Sequence, residues 1–292
     1  MSSRLRLYFD AFGQSIEFID CADLAAGFRS ILRGWSVCEA DDPPDTPYLS
    51  FRRQDGRYLW NSKLVPVPSD WRKSPPRTPE QAVYEFHYYF FDWFVARYPS
   101  MFCLHAAAID FPPGLAVFPS VQRTGKSTLA TELARRRLTV FCDDVLPIEI
   151  QEHSGMALGI LPRVRLPLPA NATENHRAFV AERQALSSKR WAYLALKDRE
   201  LAPFGAKREI CAIVSLERSS QSRRADLTDL PIAAAVALVI DRNFAKHIPP
   251  GTIFDDLCDL ASSVRCLRLS YSDVEDAAQL LIREFGGFVG SR

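Results

Sequence analysis

The residues best suited to chemistry lie at 115–129, where an apolar run is followed by a short loop, the pentapeptide Thr-Gly-Lys-Ser-Thr and an amphipathic pattern. A loop of this kind between a strand and a helix directs backbone N–H groups and the positive end of the helix dipole toward one point, where phosphate binds. In such a P-loop a lysine reaches the β- and γ-phosphates, and the next hydroxyl ligates Mg²⁺. We therefore expect Lys126 to bind phosphate and Ser127 to bind Mg²⁺. An ordinary strand-to-helix turn with a solvated lysine is the alternative.

The expected nucleotide-binding residues cover this loop and the first turn of the helix. They are Ser120, Gln122, Arg123, Thr124, Gly125, Lys126, Ser127 and Thr128. The loop departs from the usual pattern at two positions. Ser120 stands where the pattern begins with glycine, and Arg123 occupies a position where small residues are common. Both departures change the shape that the loop offers to a nucleotide.

Two adjacent carboxylates, Asp143 and Asp144, follow the next apolar segment, which predicts a strand over 138–142. Phosphoryl transfer needs a carboxylate that holds Mg²⁺ and a residue that orients or deprotonates the attacking hydroxyl. Adjacent residues of a strand face opposite sides, so the two side chains can divide these tasks. We expect Asp144 to join Ser127 at the metal, and the sequence leaves open which aspartate is the base. A helix cap or a solvated strand end is the alternative.

His105 lies in the middle of a strand predicted over 101–110, in the hexapeptide Leu-His-Ala-Ala-Ala-Ile. Its small neighbours leave room for a ligand or a loop to approach. A single histidine in a strand is more often a hydrogen-bonded core residue. It is nevertheless a candidate catalytic residue, together with Lys126, Asp143 and Asp144.

Composition limits the classes of function. Hydrophobic residues make up 47% of 292 residues and the net charge is +1, which predicts a packed core and argues against a dedicated nucleic-acid binder. The seven cysteines form no Cys-x-x-Cys pair, so free thiols in a reducing cytoplasm are expected. Because charged residues interrupt the apolar residues near the N-terminus, we expect no signal peptide, and the apolar run at 232–240 is too short to span a membrane.

Residues 1–74 predict a smaller β-rich domain. Its expected strands are 5–9, 15–19, 48–52 and 57–60. Asp55-Gly56 predicts a hairpin turn, a short helix is expected at 22–33, and prolines mark a linker at 65–79. Residues 75–99 then contain the end of this linker and an aromatic helix at 79–98, which Thr78 and Gln81 would cap. We interpret this helix as a joint between two domains, with partner binding as the alternative.

Strands and helices alternate over residues 100–292, which predicts an α/β kinase domain. The expected elements after the aspartate pair are a buried strand at 210–216, a polar loop at 217–226, helices at 232–246 and 254–262, a strand at 265–270, and a final helix capped within 272–275 and ending near 286.

The hexapeptide at 104–109, Gly-Lys-Ser-Thr-Leu at 125–129 and Cys-Asp-Asp-Val at 142–145 together resemble the bacterial HPr kinase/phosphorylase group. More closely they resemble the shorter HPr-kinase-related kinases, some of which are encoded beside peptide-modification genes. The resemblance implies an HPr-kinase-like P-loop fold, ATP and Mg²⁺ as cofactors, and a Ser/Thr kinase acting on a small protein or ribosomal peptide. It implies that His105 lies near the transferred phosphate and that one aspartate is the catalytic acid/base. Members of this group are often oligomers, so a homo-oligomer is compatible with it.

The chain lacks the glycine-rich signature of the bifunctional enzymes and has Leu-Pro-Arg-Val-Arg-Leu-Pro at 161–167 instead. This difference argues against phosphorylase activity and against HPr as the acceptor. Arg163 and Arg165 would share one face of a strand and contact substrate or phosphate, or else form a solvated edge face. Two other functions stay open. One is a nucleotide-binding module without catalysis in a peptide-modification system, and the other is a kinase for a hydroxylated metabolite.

Overall fold

The structure, a computed structural model, describes six stretches of the chain: 2–39, 46–62, 75–119, 124–218, 224–243 and 248–286. Most of the expected proline-rich linker lies outside these residues, as do Ser120, Gln122 and Arg123 of the expected phosphate loop. The chain divides into two compact units, Met1–Arg97 with Ala185–Ser188, and Tyr98–Gln184 with Lys189–Arg292.

The described part of the first unit contains a sheet and two helices. Its elements are β1 (Arg4–Phe9), β2 (Gln14–Ile19), α1 (Ala22–Ser30), β3 (Val37–Glu39), β4 (Leu49–Gln54), β5 (Arg57–Asn61) and α2 (Pro79–Arg97). The described strands follow the order β3-β1-β2-β4-β5. The predicted hairpin is confirmed, because β4 and β5 pair antiparallel around Asp55 and Gly56, both with positive φ. Strand β3 was not predicted, since its three residues are largely exposed and show no alternation.

Helix α2 packs within the first unit through its aromatic side chains. The Phe86 ring lies 4.3 Å from that of Phe28 of α1, in an edge-to-face arrangement. Trp93 Nε1 donates a hydrogen bond to Gln14 at 2.8 Å. The helix begins as predicted, with the Gln81 backbone N–H donating to the Thr78 hydroxyl. These contacts explain why its aromatic residues occupy several faces, and its expected role as a joint stays a prediction.

The chain after Tyr98 forms a mixed α/β structure with several sheets. Its strands are β6 (Phe102–Phe111), β7 (Gly114–Pro119), β8 (Thr139–Cys142), β9 (Val145–Glu149), β10 (Ser154–Met156), β11 (Arg163–Arg165), β12 (Gln184–Ser187), β13 (Trp191–Leu194), β14 (Lys207–Arg218), β15 (Asp226–Asp229) and β16 (Arg265–Tyr271). Its helices are α3 (Lys126–Arg135), α4 (Glu174–Glu182), α5 (Ile232–Asp241), α6 (Pro250–Ser263) and α7 (Val274–Phe285). None of the helices in the described ranges has the length and apolar character of a membrane-spanning segment.

The main sheet of the second unit brings several strand ends to one edge. Within the described residues its order is β10-β9-β6-β7-β14-β16-β15, with β8 also paired to β6. The central strands β7, β14 and β16 run parallel, so their carboxyl ends share that edge. Strand β6 runs antiparallel to β7 and pairs Ala106 with Pro119, which places His105 beside the end of β7.

The two faces of this sheet have different partners. Leu104, Ala106 and Ala108 belong to the core that contains buried residues of α5 and α6, such as Val239 and Leu257. Because successive residues of a strand face opposite sides, His105 lies on the other face of β6. Helix α3 packs against β6 and β8 and contacts α7. The sheet therefore separates the α5–α6 core from the candidate catalytic side chains.

Several expected boundaries of the second unit were wrong. Both bounds of the loop expected at 217–226 were wrong, because β14 continues to Arg218 and the polar, mostly exposed strand β15 begins at Asp226. The helix expected at 232–246 ends at Asp241, since the next residues turn to pair with β6. The final helix is capped by Asp273, whose carboxylate accepts two backbone N–H groups.

A buried charged group fixes the second half of α3. The Glu132 side chain has no solvent exposure and accepts hydrogen bonds from Arg135 at 2.8 Å and Arg136 at 2.7 Å. His176 Nδ1 of α4, also fully buried, lies 3.1 Å from Glu132 Oε2. Burial raises the pKa of Glu132, but these hydrogen bonds, first of all the one with His176, outweigh burial and hold the pKa at about 2.

We expect Glu132→Gln to lower the free energy of unfolding by about 3 kcal/mol at neutral pH, because the partly buried Arg135 and Arg136 lose their counter-charge. In the wild type, the stabilisation from Glu132 is present above its ordinary pKa of 4.5 and should be lost as the pH falls toward about 2, where the folded carboxyl takes up its proton. Urea denaturation at several pH values measures both effects. Glu284→Gln, which breaks an exposed pair with Arg265, is the matched control and should cost under about 1 kcal/mol. Equal losses from the two variants would contradict the interpretation.

Candidate active site

The expected strand precedes the phosphate loop and the expected helix follows it. Strand β7 is buried to Pro119, and α3 begins at Lys126. Gly125 precedes the helix with a φ of 98°, which favours glycine. A Cβ atom at this position would lie 2.6 Å from the Tyr271 hydroxyl, which itself donates to the Thr124 carbonyl at 2.8 Å. Tyr271 therefore fixes the end of the loop, a role that the sequence did not reveal because the strand was expected to end at residue 270.

The first turn of α3 has the positive electrostatic character that binds anions. Gly125 provides no side-chain cap, and the first turn contains no acidic residue. Lys126 is buried, whereas Ser127 and Thr128 are partly exposed. Backbone N–H groups at a helix N-terminus carry partial positive charge, and the lysine adds a full one. The turn can therefore bind a phosphate group.

Lys126, His105 and Asp144 form a line of contacts across the sheet edge. Lys126 Nζ lies 3.3 Å from His105 Nε2, and His105 Nδ1 lies 3.0 Å from Asp144 Oδ1. An ammonium group only donates, so Nε2 accepts and we assign the imidazole proton to Nδ1, where it faces the carboxylate. Burial lowers the pKa of Lys126, and the negative charges of the two aspartates oppose that change.

Asp143 is the buried carboxylate of the site. It lies in the turn between β8 and β9, and only 9% of the residue is exposed. Its Oδ2 atom accepts the Arg163 backbone N–H at 2.9 Å, whereas Oδ1 has no hydrogen-bond partner among the described residues. Burial raises its pKa to about 6, and the Arg163 N–H and the Ser127 hydroxyl moderate the increase. This pKa allows the carboxyl to exchange a proton near neutral pH.

Asp144 is more exposed and makes ionic contacts. Its Oδ2 atom lies 3.6 Å from Arg163 Nη2, and its backbone carbonyl accepts the Ala106 N–H at 3.2 Å. Arg163 therefore contacts both aspartates, one through its backbone and one through its guanidinium. Arg165 is exposed two residues further along β11, with buried Val164 between them. Of the two arginines that were expected to contact substrate, Arg163 therefore lies at the site.

Arg242 is a cation of this region that sequence reasoning missed. Its carbonyl accepts the His105 N–H at 2.8 Å, and its charge contributes to lowering the pKa of Lys126. Its guanidinium pairs with Asp241, while Nε is buried without a hydrogen-bond partner among the described residues. The sequence interpretation placed Arg242 inside a helix. The change from an apolar run to Asp-Arg-Asn at 241–243 was the signal that the helix ends there.

The side-chain oxygens around α3 could bind a metal ion whose remaining ligands are water molecules or substrate atoms. In the parts of the chain that the structure describes, no group of three or more His, Cys, Asp or Glu side chains could enclose a metal ion by itself. Mg²⁺ is usually held by one or two protein oxygens together with water and substrate phosphates. The Ser127 hydroxyl with an oxygen from the aspartate pair satisfies this requirement.

No protein-family model and no curated protein matches this sequence. Among solved structures, the chain is similar to the Hpr(Ser) kinase/phosphatase from Coxiella burnetii, with 10% sequence identity and a TM-score of 0.31. The similarity covers 62% of this chain and 94% of that chain. A likeness this distant carries no information about substrate or mechanism, so the chemistry of the site rests on its own residues.

Proposed function

We propose that this protein is an ATP-dependent kinase that transfers the γ-phosphoryl group to a Ser or Thr hydroxyl of a small protein or ribosomal peptide. One observation carries the proposal. A buried lysine, an imidazole and two carboxylates meet at the first turn of a helix that follows a glycine with positive φ. Phosphoryl transfer needs these groups: a cationic phosphate cradle, a metal ligand and a base.

The phosphate chain of ATP fits the first turn of α3. Lys126 would bind the terminal phosphates, and the backbone N–H groups after Gly125 would bind the phosphate oxygens. Ser127 and Asp144 would hold Mg²⁺, which, when bound, neutralises negative charge on the phosphate oxygens. His105 contacts both Lys126 and Asp144 and would keep the lysine aimed at the transferred group.

Asp143 is the better candidate for the base. Its pKa of about 6 leaves it largely ionised at neutral pH while keeping it basic enough to accept a proton. The Arg163 N–H fixes one carboxylate oxygen, and the other is buried without a hydrogen-bond partner among the described residues, so it would accept the proton once an acceptor hydroxyl enters the site. As the acceptor O–H bond breaks, its proton passes to Asp143 and its oxygen bonds to phosphorus. The bond to the departing ADP oxygen breaks, so the reaction yields ADP and a phosphate ester.

The burial of Asp143 restricts the form of the acceptor. A carboxylate with this little exposure can be reached by a short side chain on an extended or terminal segment more easily than by a residue on a rigid helix. A Ser or Thr hydroxyl in a flexible peptide meets this requirement. Arg163, whose guanidinium lies beside Asp144, would contact the acceptor backbone or the transferred phosphoryl group.

Incubation with γ-labelled ATP, Mg²⁺ and Ser/Thr-containing peptides and small proteins, followed by mass spectrometry, tests the proposal. We expect label on Ser or Thr in the presence of the wild-type protein and labelling about 10³-fold slower with Asp143→Asn. Label found only on a small hydroxylated metabolite would replace the proposal with a metabolite kinase. Bound ATP without transfer to any acceptor would replace it with a non-catalytic nucleotide-binding module.

A further inference from the structure

The two faces of the sheet in the first unit have different characters. On one face, Phe18 and Phe51 contact the ring of Phe28 of α1, and Phe9 contacts the ring of Phe90 of α2. Successive residues of a strand point to opposite sides, so the residues between these aromatic side chains lie on the other face. We refer to this second face of β1, β2, β4 and β5 as the outer face.

The outer face carries a local excess of positive charge. The strand registers place on it four arginines and a single carboxylate, namely Arg4, Arg6, Arg52, Arg57 and Glu17. The whole chain, in contrast, has 36 basic and 35 acidic residues. The excess therefore belongs to this face and does not reflect a basic protein.

The single carboxylate neutralises one of the four arginines. Glu17 Oε1 lies 3.3 Å from Arg6 Nε, and Glu17 Oε2 accepts a hydrogen bond from the Ser50 hydroxyl at 3.0 Å. The side chains of Arg4, Arg52 and Arg57 form no ion pair or hydrogen bond with any residue that the structure describes. Arg4 and Arg52 are exposed and Arg57 is half-buried, so these three guanidinium groups remain for a partner.

We propose that the outer face binds an extended acidic segment of a partner polypeptide. Charge complementarity identifies the chemistry of this partner, because guanidinium groups bind carboxylates in a bidentate geometry. Opposite charges across an interface also increase the rate of encounter and select against basic partners.

The spacing of the three arginines fits an extended segment. Ile19 pairs with Arg4 on one side and with Arg52 on the other, so the two arginines lie two strands apart, about 10 Å. Arg57 pairs with Gln54 and is therefore a diagonal neighbour of Arg52, at about 7–8 Å. Alternate residues of an extended peptide point to one side at intervals of about 7 Å. Asp or Glu at alternate positions could thus meet successive arginines.

A single-stranded nucleic acid also carries regularly spaced negative charges, but the outer face suits it less well. Proteins that bind single strands combine a basic groove with aromatic side chains on which bases stack. The described pairs that contain Arg4, Arg52 and Arg57 place Ile19, Leu59 and Gln54 between or beside them, with no aromatic side chain on this face. The balanced charge of the whole chain also argues against a nucleic-acid partner.

The proposed function identifies the partner as the acceptor, and this identification rests on that function. A small protein or peptide with an acidic segment would bind to the outer face, and a Ser or Thr elsewhere in the same flexible chain would enter the candidate active site. The outer face would then select acceptors by their acidic segment, whereas the active site would require only a reachable hydroxyl.

Fluorescence anisotropy with the full-length protein tests the binding directly. The probe is a labelled peptide that alternates Glu and Val and ends in a glycine spacer and one Ser, and its matched control has Gln in place of each Glu. We expect the wild type to bind the Glu peptide about tenfold more tightly than the Gln peptide, and added NaCl should reduce this difference. Arg52→Ala should weaken binding of the Glu peptide about fivefold, and Arg4→Ala combined with Arg52→Ala about 25-fold.

Arg53 supplies the matched control variant. It follows Arg52 in β4, is also exposed, and points to the opposite side, where it lies 3.4 Å from Asp23 of α1. Arg53→Ala should change the affinity less than about twofold, and thermal denaturation should show both variants folded. Equal affinity for the Glu and Gln peptides, or equal effects of Arg52→Ala and Arg53→Ala, would overturn the inference. Tighter binding of an oligothymidylate that is lost in Arg52→Ala would replace the acidic peptide with a nucleic acid.

Phosphorylation of the same two peptides separates this inference from the proposed function. With γ-labelled ATP, we expect a lower KM for the Glu peptide, and Arg52→Ala should raise that KM about fivefold while leaving kcat and the Gln peptide unchanged. Equal labelling of both peptides, with no effect of Arg52→Ala, would leave the proposed function standing and the inference wrong. Arg52-dependent binding of the Glu peptide without phosphorylation of any acceptor would support the binding surface and contradict the proposed function.

Discussion

Asp143→Asn is expected to lower kcat by about 10³-fold and to change the Kd of ATP by less than about threefold. General base catalysis contributes roughly 10²–10⁴-fold, and asparagine cannot accept the acceptor proton. Asparagine has nearly the same size as aspartate and can still accept the Arg163 N–H with its amide oxygen. The variant therefore tests proton transfer while largely preserving the shape of the site.

The pH dependence of kcat gives a second measurement of the same role. Burial raises the pKa of Asp143 to about 6, so wild-type kcat should increase as the pH rises through about 6 and then become constant. Asp143→Asn should remove this dependence. Asp144→Asn is the matched comparison and should instead raise the Mg²⁺ concentration needed for activity. The opposite pattern, in which Asp143→Asn raises the Mg²⁺ requirement and keeps the pH profile, would exchange the two roles.

The stability of the Asp143→Asn variant distinguishes lost chemistry from lost folding. The folded-state pKa of Asp143 is raised above its ordinary value of 3.8, so ionisation favours the unfolded state and its full cost is present above pH about 6. Removing the charge should therefore stabilise the folded protein above that pH by up to about 3 kcal/mol. An inactive variant that unfolds at a higher urea concentration cannot owe its inactivity to misfolding. If the variant is both less stable and less active, Asp143 has a structural role and the assignment as the base is wrong.

The parts of the fold that the sequence predicted are those that depend on neighbours in the chain. Strand β7 and helix α3 were recognisable because the apolar run at 115–118 precedes Gly125 and an amphipathic helical pattern follows it. The hairpin at Asp55-Gly56 was recognisable because a two-residue turn needs residues that accept positive φ. The aspartate pair was found because it follows the strand β8. In each case a short segment carries its own conformational signal.

The missed residues reach the site through contacts between distant parts of the chain. Arg242 lies beside His105, which is distant in the sequence, because the chain after α5 pairs with β6. Tyr271 meets Thr124 because β16 and β7 are both neighbours of β14 in one sheet. No local pattern encodes such pairings. Short strands such as β15 also have a polar sequence, because an exposed edge position places few demands on residue type.

Lys126→Ala is expected to weaken ATP·Mg²⁺ binding about 100-fold and to abolish measurable transfer, because the phosphates lose a charged, largely desolvated partner. Lys126→Met retains most of the apolar stem that packs in the buried site and should show the same loss. Agreement between the two variants would assign the effect to the ammonium group instead of the packing.

The nature of the Lys126 contact is tested by tripolyphosphate·Mg²⁺, whose affinity should fall as much as that of ATP·Mg²⁺, since the lysine is expected to contact phosphate and not the nucleoside. Lys207→Ala removes an exposed lysine that pairs with Glu149 and should leave both affinities unchanged. Equal ATP affinity in the wild type and both Lys126 variants would mean that the first turn of α3 does not bind the phosphates. The contacts among Lys126, His105 and Asp144 would then stabilise the sheet edge without a role in phosphoryl transfer. Calorimetry on the folded variants, with thermal denaturation as the folding control, decides between these two roles.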